Sequence, residues 1–431
     1  MQLFTTFPDD LPADTDLRTF LSHTALIISS SQHEAATALL RQQFYRPPQQ
    51  KSPPLLKRAA YHILRRGPRF SPDEKIPASS LRRILILRHD GLGDYILTTP
   101  LLQWLKQAVP HAEIDVLTSQ RNDFLAALDP HVSLHVPIYD RPQFHYSFLH
   151  AHKLLGKRRY DLVFAIVMSK MTRQAVIARS LAPEADYVTI LNCSSAALHG
   201  QVLHRQVANQ PWQQHWCEAF YSTGPATIEP GAPIQMMPPL WVPHLPSAEE
   251  NIRLFLRTYG LSSETGRTGD GASGQPYVVF NLSAHDQERS LTYEQALSTC
   301  RLLRERFPHY ALVIVSSPVH RTMGERLAEY LGPPVYYYHN TFLEMIPLLN
   351  HARWVITPDT ALVHVAAAQK VPVIGLYHRP PTVCEWFPYQ TLFQIVLRCD
   401  PRGLCTVAPE AIVAAAEQLE RALHRPPATA E

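Results

Sequence analysis

The chain has 431 residues, 45% of them hydrophobic and 18% charged, with a formal net charge of +3. That length suits two or three domains, and so small a net charge gives no footing for nucleic-acid binding. No run reaches the ~18 apolar residues of a membrane span, the start lacks a secretory leader's pattern, and the six cysteines form no C-x-x-C pair, so a cytoplasmic protein with free thiols is expected.

Residues 1 to about 80 precede any regular rhythm. His33–Tyr45 reads as a helix, and Pro47, Pro48, Pro53 and Pro54 then break the chain. Residues 55–66 separate apolar from basic side chains on a helical period. Such a helix either packs on the domain as a solvated element or lies on an anionic membrane surface. From residue 81, short apolar strands alternate with helices. Strands are expected at Ile84–Leu87, Glu113–Thr118, Leu134–Ile138, Leu162–Val167 and Tyr187–Leu191, and helices at Tyr95–Ala108, Ser147–Leu155 and Arg173–Leu181. This alternation argues for a parallel sheet flanked by helices.

A less regular, proline-rich stretch runs from Pro225 to Pro246, followed by a helix over Glu249–Tyr259. Positions 261–275 are rich in Gly, Ser and Thr and read as a linker. The rhythm then restarts with strands at Tyr277–Leu282, Ala311–Ser316, Val335–Tyr338, Trp354–Ile356 and Val371–Leu376. Helices are expected at Tyr293–Arg306, Thr322–Leu331, Thr341–Asn350, Thr360–Gln369 and Pro409–Ala422. The expected division is a mostly helical extension (1–80), a first α/β domain (81–260), a linker (261–275) and a second α/β domain (276–431), with two parallel sheets facing one another across a cleft.

Two βα corners stand out. In Arg88-His89-Asp90-Gly91-Leu92-Gly93-Asp94 a strand gives way to a helix. Asp94 there either caps the helix N-terminus or carries chemistry. Asp359-Thr360-Ala361-Leu362-Val363-His364 repeats the pattern, with Thr360 and His364 on one helix face. Helix N–H groups, a hydroxyl and an imidazole suit a diphosphate, although a capped helix with a core histidine accounts for the same residues. In the loop after Tyr277–Leu282, Ser283 and Arg289 could hold phosphate oxygens, or the segment is a plain surface loop. A dinucleotide fingerprint is absent: only Gly91 and Gly93 are in place, and Asp115 begins the second strand instead of ending it. There is no P-loop, G-x-S-x-G or H-E-x-x-H motif. Cys384, Cys399 and Cys405 are too irregularly spaced to be read as a metal site.

Arg88 to Pro100 resembles the opening motif of the heptosyltransferase family of glycosyltransferases (family 9), a basic residue followed after three positions by Leu-Gly-Asp and a helix. Asp359-Thr360 with His364, Ala366-Ala367-Ala368 and Val371-Pro372-Val373 resembles its donor-site motif, and Cys405 to Ile412 its closing segment. Order and spacing match from about 81 to 424. The resemblance implies a GT-B fold, an acceptor domain followed by a nucleotide-sugar domain, with catalysis in the cleft and no required metal or other cofactor. It implies Asp94 as general base, with Arg88, Asp90 and Gly93 on the acceptor side. Ser283, Arg289, Asp359, Thr360, Ala361 and His364 would bind the donor, Arg289 sitting where the family carries a lysine. The expected reaction is inverting transfer of heptose from ADP-heptose to a lipopolysaccharide-core or related glycan acceptor, at the inner face of the cytoplasmic membrane. A different nucleotide sugar, or a non-catalytic nucleotide-binding descendant, are the alternatives.

The chain departs from the family pattern at four places. Asp90-Gly91 replaces two serines, Ala361 a glycine and Leu291 a tryptophan, while Ser316-Ser317-Pro318-Val319-His320 stands where a ribose-gripping acid is usual.

Overall fold

The structure, a computed structural model, describes residues 2–11, 15–47, 54–167, 171–191, 202–262, 274–284, 286–339 and 341–424. Most of the expected linker (263–273), His285 and Cys193 lie outside the described residues. The chain opens with β1 (Phe4–Thr6) and β2 (Ala25–Ser29), and continues through β3 (Ile76–Pro77), β4 (Arg83–Arg88), β5 (Glu113–Ser119), β6 (Leu134–Ile138), β7 (Leu162–Ala165), β8 (Asp186–Leu191), β9 (Arg205–Ala208) and β10 (Ile228–Glu229). It ends with β11 (Leu261–Ser262), β12 (Gln275–Asn281), β13 (Ala311–Val315), β14 (Val335–Tyr337), β15 (Val355–Pro358), β16 (Val373–Tyr377) and β17 (Phe393–Leu397).

Two compact units divide these elements: residues 46–243 form one, and residues 1–45 with 244–431 the other. In the unit of residues 46–243 a six-stranded sheet runs β6-β5-β4-β7-β8-β9, every neighbouring pair parallel. Counted from its first strand this is the order 3-2-1-4-5-6 of a doubly wound fold. Ile84 to Leu87 of β4 are wholly buried, as a parallel strand covered on both faces must be.

The other unit repeats the order as β14-β13-β12-β15-β16-β17. The first residues of the chain then extend it, because β2 pairs antiparallel with β17 and β1 parallel with β2. The extension is therefore helical in the main, at Leu17–His23, His33–Phe44 and Leu55–Leu64, yet also supplies an edge to a sheet whose strands β12 to β17 run from Gln275 to Leu397, and its third helix lies in the unit of residues 46–243. At the expected linker, Leu261 pairs with Gln275 and Ser262 with Pro276, so its two ends meet in one sheet. The helix Pro246–Thr258 packs on Phe342–Asn350, which assigns it to the same unit.

Several elements were not expected from sequence, among them β9, β17 and the helix Trp216–Thr227. That helix carries Gly224-Pro225, which reads as a break. The glycine is needed instead for packing: a Cβ on Gly224 would lie 2.7 Å from the Trp104 ring of helix Leu92–Ala108. Pro100 interrupts that second helix without breaking it. It cannot donate to the Ile96 carbonyl, and the Thr99 hydroxyl donates there instead at 2.7 Å.

In a doubly wound sheet ligands settle at the carboxyl ends of the strands, where the order reverses. Those points lie between β4 and β7 in one unit and between β12 and β15 in the other. The two corners singled out by sequence leave β4 and β15, and the Ser283–Arg289 loop leaves β12.

Candidate active site

At the end of β4, Arg88 is fully buried. Its Nε donates to Asp90 Oδ1 at 2.8 Å and its Nη2 to Asp90 Oδ2, a two-point ion pair. Nη1 donates to Thr98 Oγ1 at 3.0 Å, Nη2 also to the Ile166 carbonyl at 3.1 Å, and the guanidinium lies 4.5 Å from the centre of the Phe220 ring. Arg88 was expected on the acceptor side. Buried and engaged in this way, it ties β4, the corner, the following helix and the end of β7 together from beneath. Burial pushes the Asp90 carboxyl up to about 7, with Arg88 drawing it down and Asp94 adding repulsion.

Asp94 is the third residue of the helix Leu92–Ala108 and is partly exposed. Its Oδ2 accepts from the Gly91 N–H at 3.1 Å. A Cβ on Gly91 would stand 2.6 Å from that oxygen, so glycine is what lets the carboxylate fold back over the corner. Gly93 occupies the second helical position beside it. Below, buried Asn122 donates to the carbonyls of Arg88 and Gly91 at 2.9 and 3.1 Å, and the Ser119 hydroxyl donates to the Asp90 carbonyl at 2.7 Å. Sequence reading missed both residues. Their position in the turn after the second strand was the available signal, since that turn is adjacent to the first corner in this topology.

The second corner is built differently. Thr360 caps the helix Ala361–Ala368, its Oγ1 accepting from the Leu362 N–H at 3.3 Å. Its hydroxyl is also 3.1 Å from that of Thr357, to which Asn281 of β12 donates at 3.0 Å. Arg289 reaches across from the β12 loop. It donates from Nη1 to the Asp359 carbonyl at 2.8 Å and pairs with Asp286 at 2.7 Å, while about a quarter of its side chain stays exposed. Arg289, Asp359, Thr360 and the start of helix Ala361–Ala368 are thus brought together. The turn that leads into the closing segment supports this loop: Gly403, at φ 82°, lies so close to Glu288 that a Cβ would overlap its backbone.

Two of the expected donor residues are further inside. His364 is buried beside Trp386, and burial lowers its pKa to about 4, which keeps the imidazole neutral at pH 7. Ser283 is buried and bridges to the next strand, accepting from the Ser317 N–H at 2.8 Å. Around Ser317 a hydroxyl cluster forms, with His320 Nδ1 at 3.0 Å from Ser317 Oγ and the Tyr337 hydroxyl 2.9 Å from Ser316 Oγ. Arg379, exposed and 3.0 Å from Glu288, adds a cation beside the Arg289 loop that sequence reading did not single out. Among the described residues no group of three or more His, Cys, Asp or Glu side chains could hold a metal ion.

Comparison with known proteins bears on what these corners do. Residues 259–405 match the family model described as glycosyltransferase family 9 (heptosyltransferase). A lipopolysaccharide heptosyltransferase 3 of Escherichia coli is 26% identical over 297 residues, covering 66% of this chain and 80% of its own. The chain is thus similar to heptosyltransferases of glycosyltransferase family 9. Among solved structures, a family 9 glycosyl transferase from Veillonella parvula superposes with a TM-score of 0.63 at 18% identity, over 81% of this chain and 99% of its own. The E. coli heptosyltransferase WaaC with ADP gives a TM-score of 0.59 at 18% identity, over 78% and 99%. The chain has the GT-B fold of these neighbours. Its described residues include no helix long and apolar enough to cross a membrane.

Proposed function

We propose that this glycosyltransferase moves heptose from ADP-heptose onto a lipopolysaccharide-core or related glycan acceptor, with inversion and with Asp94 as general base. The observation that carries the reading is the oriented Asp94 carboxylate at the carboxyl end of β4, where a doubly wound sheet presents its ligands. The acceptor hydroxyl gives its proton to Asp94 while its oxygen attacks the anomeric carbon, and the bond to the nucleoside diphosphate breaks on the opposite side. Arg289, the Thr360 hydroxyl and the Ala361 N–H take up the charge that develops on the departing diphosphate. His364, being neutral, serves as a fixed dipole and not as a cation.

In this reading residues 46–243 are the acceptor side and residues 244–431 the nucleotide-sugar side. The heptosyltransferase WaaC has been solved with ADP and with ADP-2-deoxy-2-fluoro heptose, which supports an ADP-sugar donor. The acceptor is lipid-linked or glycan, and residues 55–66 meet the inner face of the membrane that carries it. Asp94→Asn should lower kcat about a thousandfold without loss of fold; full activity in the folded variant would remove Asp94 from the mechanism.

A second reading keeps the chemistry and changes the nucleotide. It rests on the hydroxyl cluster of Ser316, Ser317 and Tyr337 at the end of β13, where a carboxylate would be expected to grip an ADP ribose. Thermal denaturation with ADP-, UDP- and GDP-sugars separates the two, because a ligand of the native state alone raises the midpoint.

A further inference from the structure

The helix Leu55–Leu64 sits on its unit the wrong way round for a soluble protein. It is anchored by fully buried Tyr61 and half-buried Leu64, which join a core cluster with Leu155, Ala178 and Leu181. At 100° per residue, Leu55, Leu56, Ala59 and Ile63 fall on another arc of the same helix. Leu55 is 80% exposed, Leu56 87% and Ile63 81%. An amphipathic helix of a globular protein ordinarily turns that arc to the core.

The neighbouring helices continue the surface. Leu55–Leu64 packs on Met171–Leu181, and that helix packs on Phe144–Leu155. Val176 of the one, and Tyr146 and Leu149 of the other, are exposed. Of the thirteen large apolar side chains exposed among the described residues, seven lie on these three helices. That is a patch and not the normal scatter of single surface apolars.

Charge selects what covers it. None of the three helices contains Asp or Glu, whereas Arg58, Lys153, Arg173 and Arg179 belong to them and Arg65 follows the first. Of the acids that flank these helices in sequence, Glu184 is paired with Arg66 at 2.8 Å and Asp140 with Arg173 at 3.5 Å. A second copy of the chain meeting this face about a two-fold axis would set basic residues against basic residues. An anionic bilayer offers acyl chains to the leucines and headgroup charge to the arginines together.

We propose that the face formed by helices Leu55–Leu64, Phe144–Leu155 and Met171–Leu181 docks on an anionic lipid bilayer. This deepens the proposed function by naming the surface on which the acceptor half works, and it is tested without donor or acceptor, so its failure leaves the transfer reading standing and the reverse. The full chain is sedimented with vesicles of phosphatidylcholine alone and of phosphatidylcholine with phosphatidylglycerol, mixed about three to one. Wild type is expected to bind the anionic vesicles more tightly. L55E/L56E/I63E should lose binding tenfold or more to both kinds. R58E/R65E should weaken binding by about fivefold per residue to the anionic vesicles only. These side chains are exposed, so far-UV circular dichroism and melting of the variants should match wild type. Wild type left in the supernatant with anionic vesicles, or both variants binding as wild type does, would overturn the proposal. So would a concentration-dependent dimer that the same substitutions dissolve.

Discussion

The corner after β4 is held by charge beneath its surface, and the corner after β15 by hydroxyls and an arginine lent by a neighbouring loop. In the first, a buried arginine is bound to a carboxylate two residues on, and the catalytic candidate rests on a glycine N–H above them. In the second, Asn281, Thr357 and Thr360 form a neutral chain under a helix end, with Arg289 on the outer side. The difference suits the roles proposed for the two corners. A general base has to be a carboxylate placed to within a fraction of an ångström, and a rigid ion pair below it fixes the loop it stands on. A diphosphate site must supply positive potential, which helix N–H groups and an exposed arginine provide without a buried charge.

The contrast breaks first at Arg88. Arg88→Met leaves Asp90 without its partner and should cost about 3–5 kcal/mol in denaturant unfolding, whereas R88M/D90N should recover much of that loss. A cost below about 1 kcal/mol would show that charge does not hold this corner. The second corner should instead be sensitive through His364. Its pKa is about 4 folded against an ordinary 6.5 unfolded, so the unfolded chain binds a proton that the folded one refuses between those values. The contribution is fully present above pH 6.5 and is lost as the pH falls toward 4, by about 3 kcal/mol in all. Urea midpoints of wild type should therefore fall faster than those of H364Q across that window, and parallel slopes would contradict the burial of a neutral imidazole.

On activity, Arg289→Ala should lower kcat/KM about a hundredfold, since it removes a charge-assisted donor from the diphosphate. Arg379→Ala should cost less, because that side chain is more exposed and its pairing with Glu288 is screened by solvent. Equal losses would move the diphosphate toward Arg379.

Much of this was legible in the sequence, and what was not has physical causes. The strands from β4 to β8 and from β12 to β16 were marked by apolar runs, and both corners by their turn and cap residues. Arg88 was put on the acceptor side by the family resemblance alone; that Asp90 takes it inward depends on a pairing two residues away that sequence spacing does not reveal. Ser119 and Asn122 belong to a different loop, and only the parallel neighbourship of β4 and β5 brings them under the corner. β1 and β2 were hidden for a similar reason, since their partner β17 lies far along the chain. The helical period put His364 on one face with Thr360 but could not show its burial, because a period gives direction and not depth.

The smallest predicted effect separates the two roles left open for Asp94 at the outset. Gly91 has φ −85°, a conformation any residue adopts, so Gly91→Ala brings no backbone strain. The new methyl would meet Asp94 Oδ2 at 2.6 Å and must push the carboxylate away from the Gly91 N–H. If Asp94 only capped its helix, the variant would lose about 1 kcal/mol of stability and keep its turnover. If the carboxylate is the base, the same displacement should lower kcat about tenfold, since a misplaced group reacts from a poorer geometry. Measured together, the unfolding free energy and kcat of Gly91→Ala distinguish a cap from a base without altering the carboxylate itself.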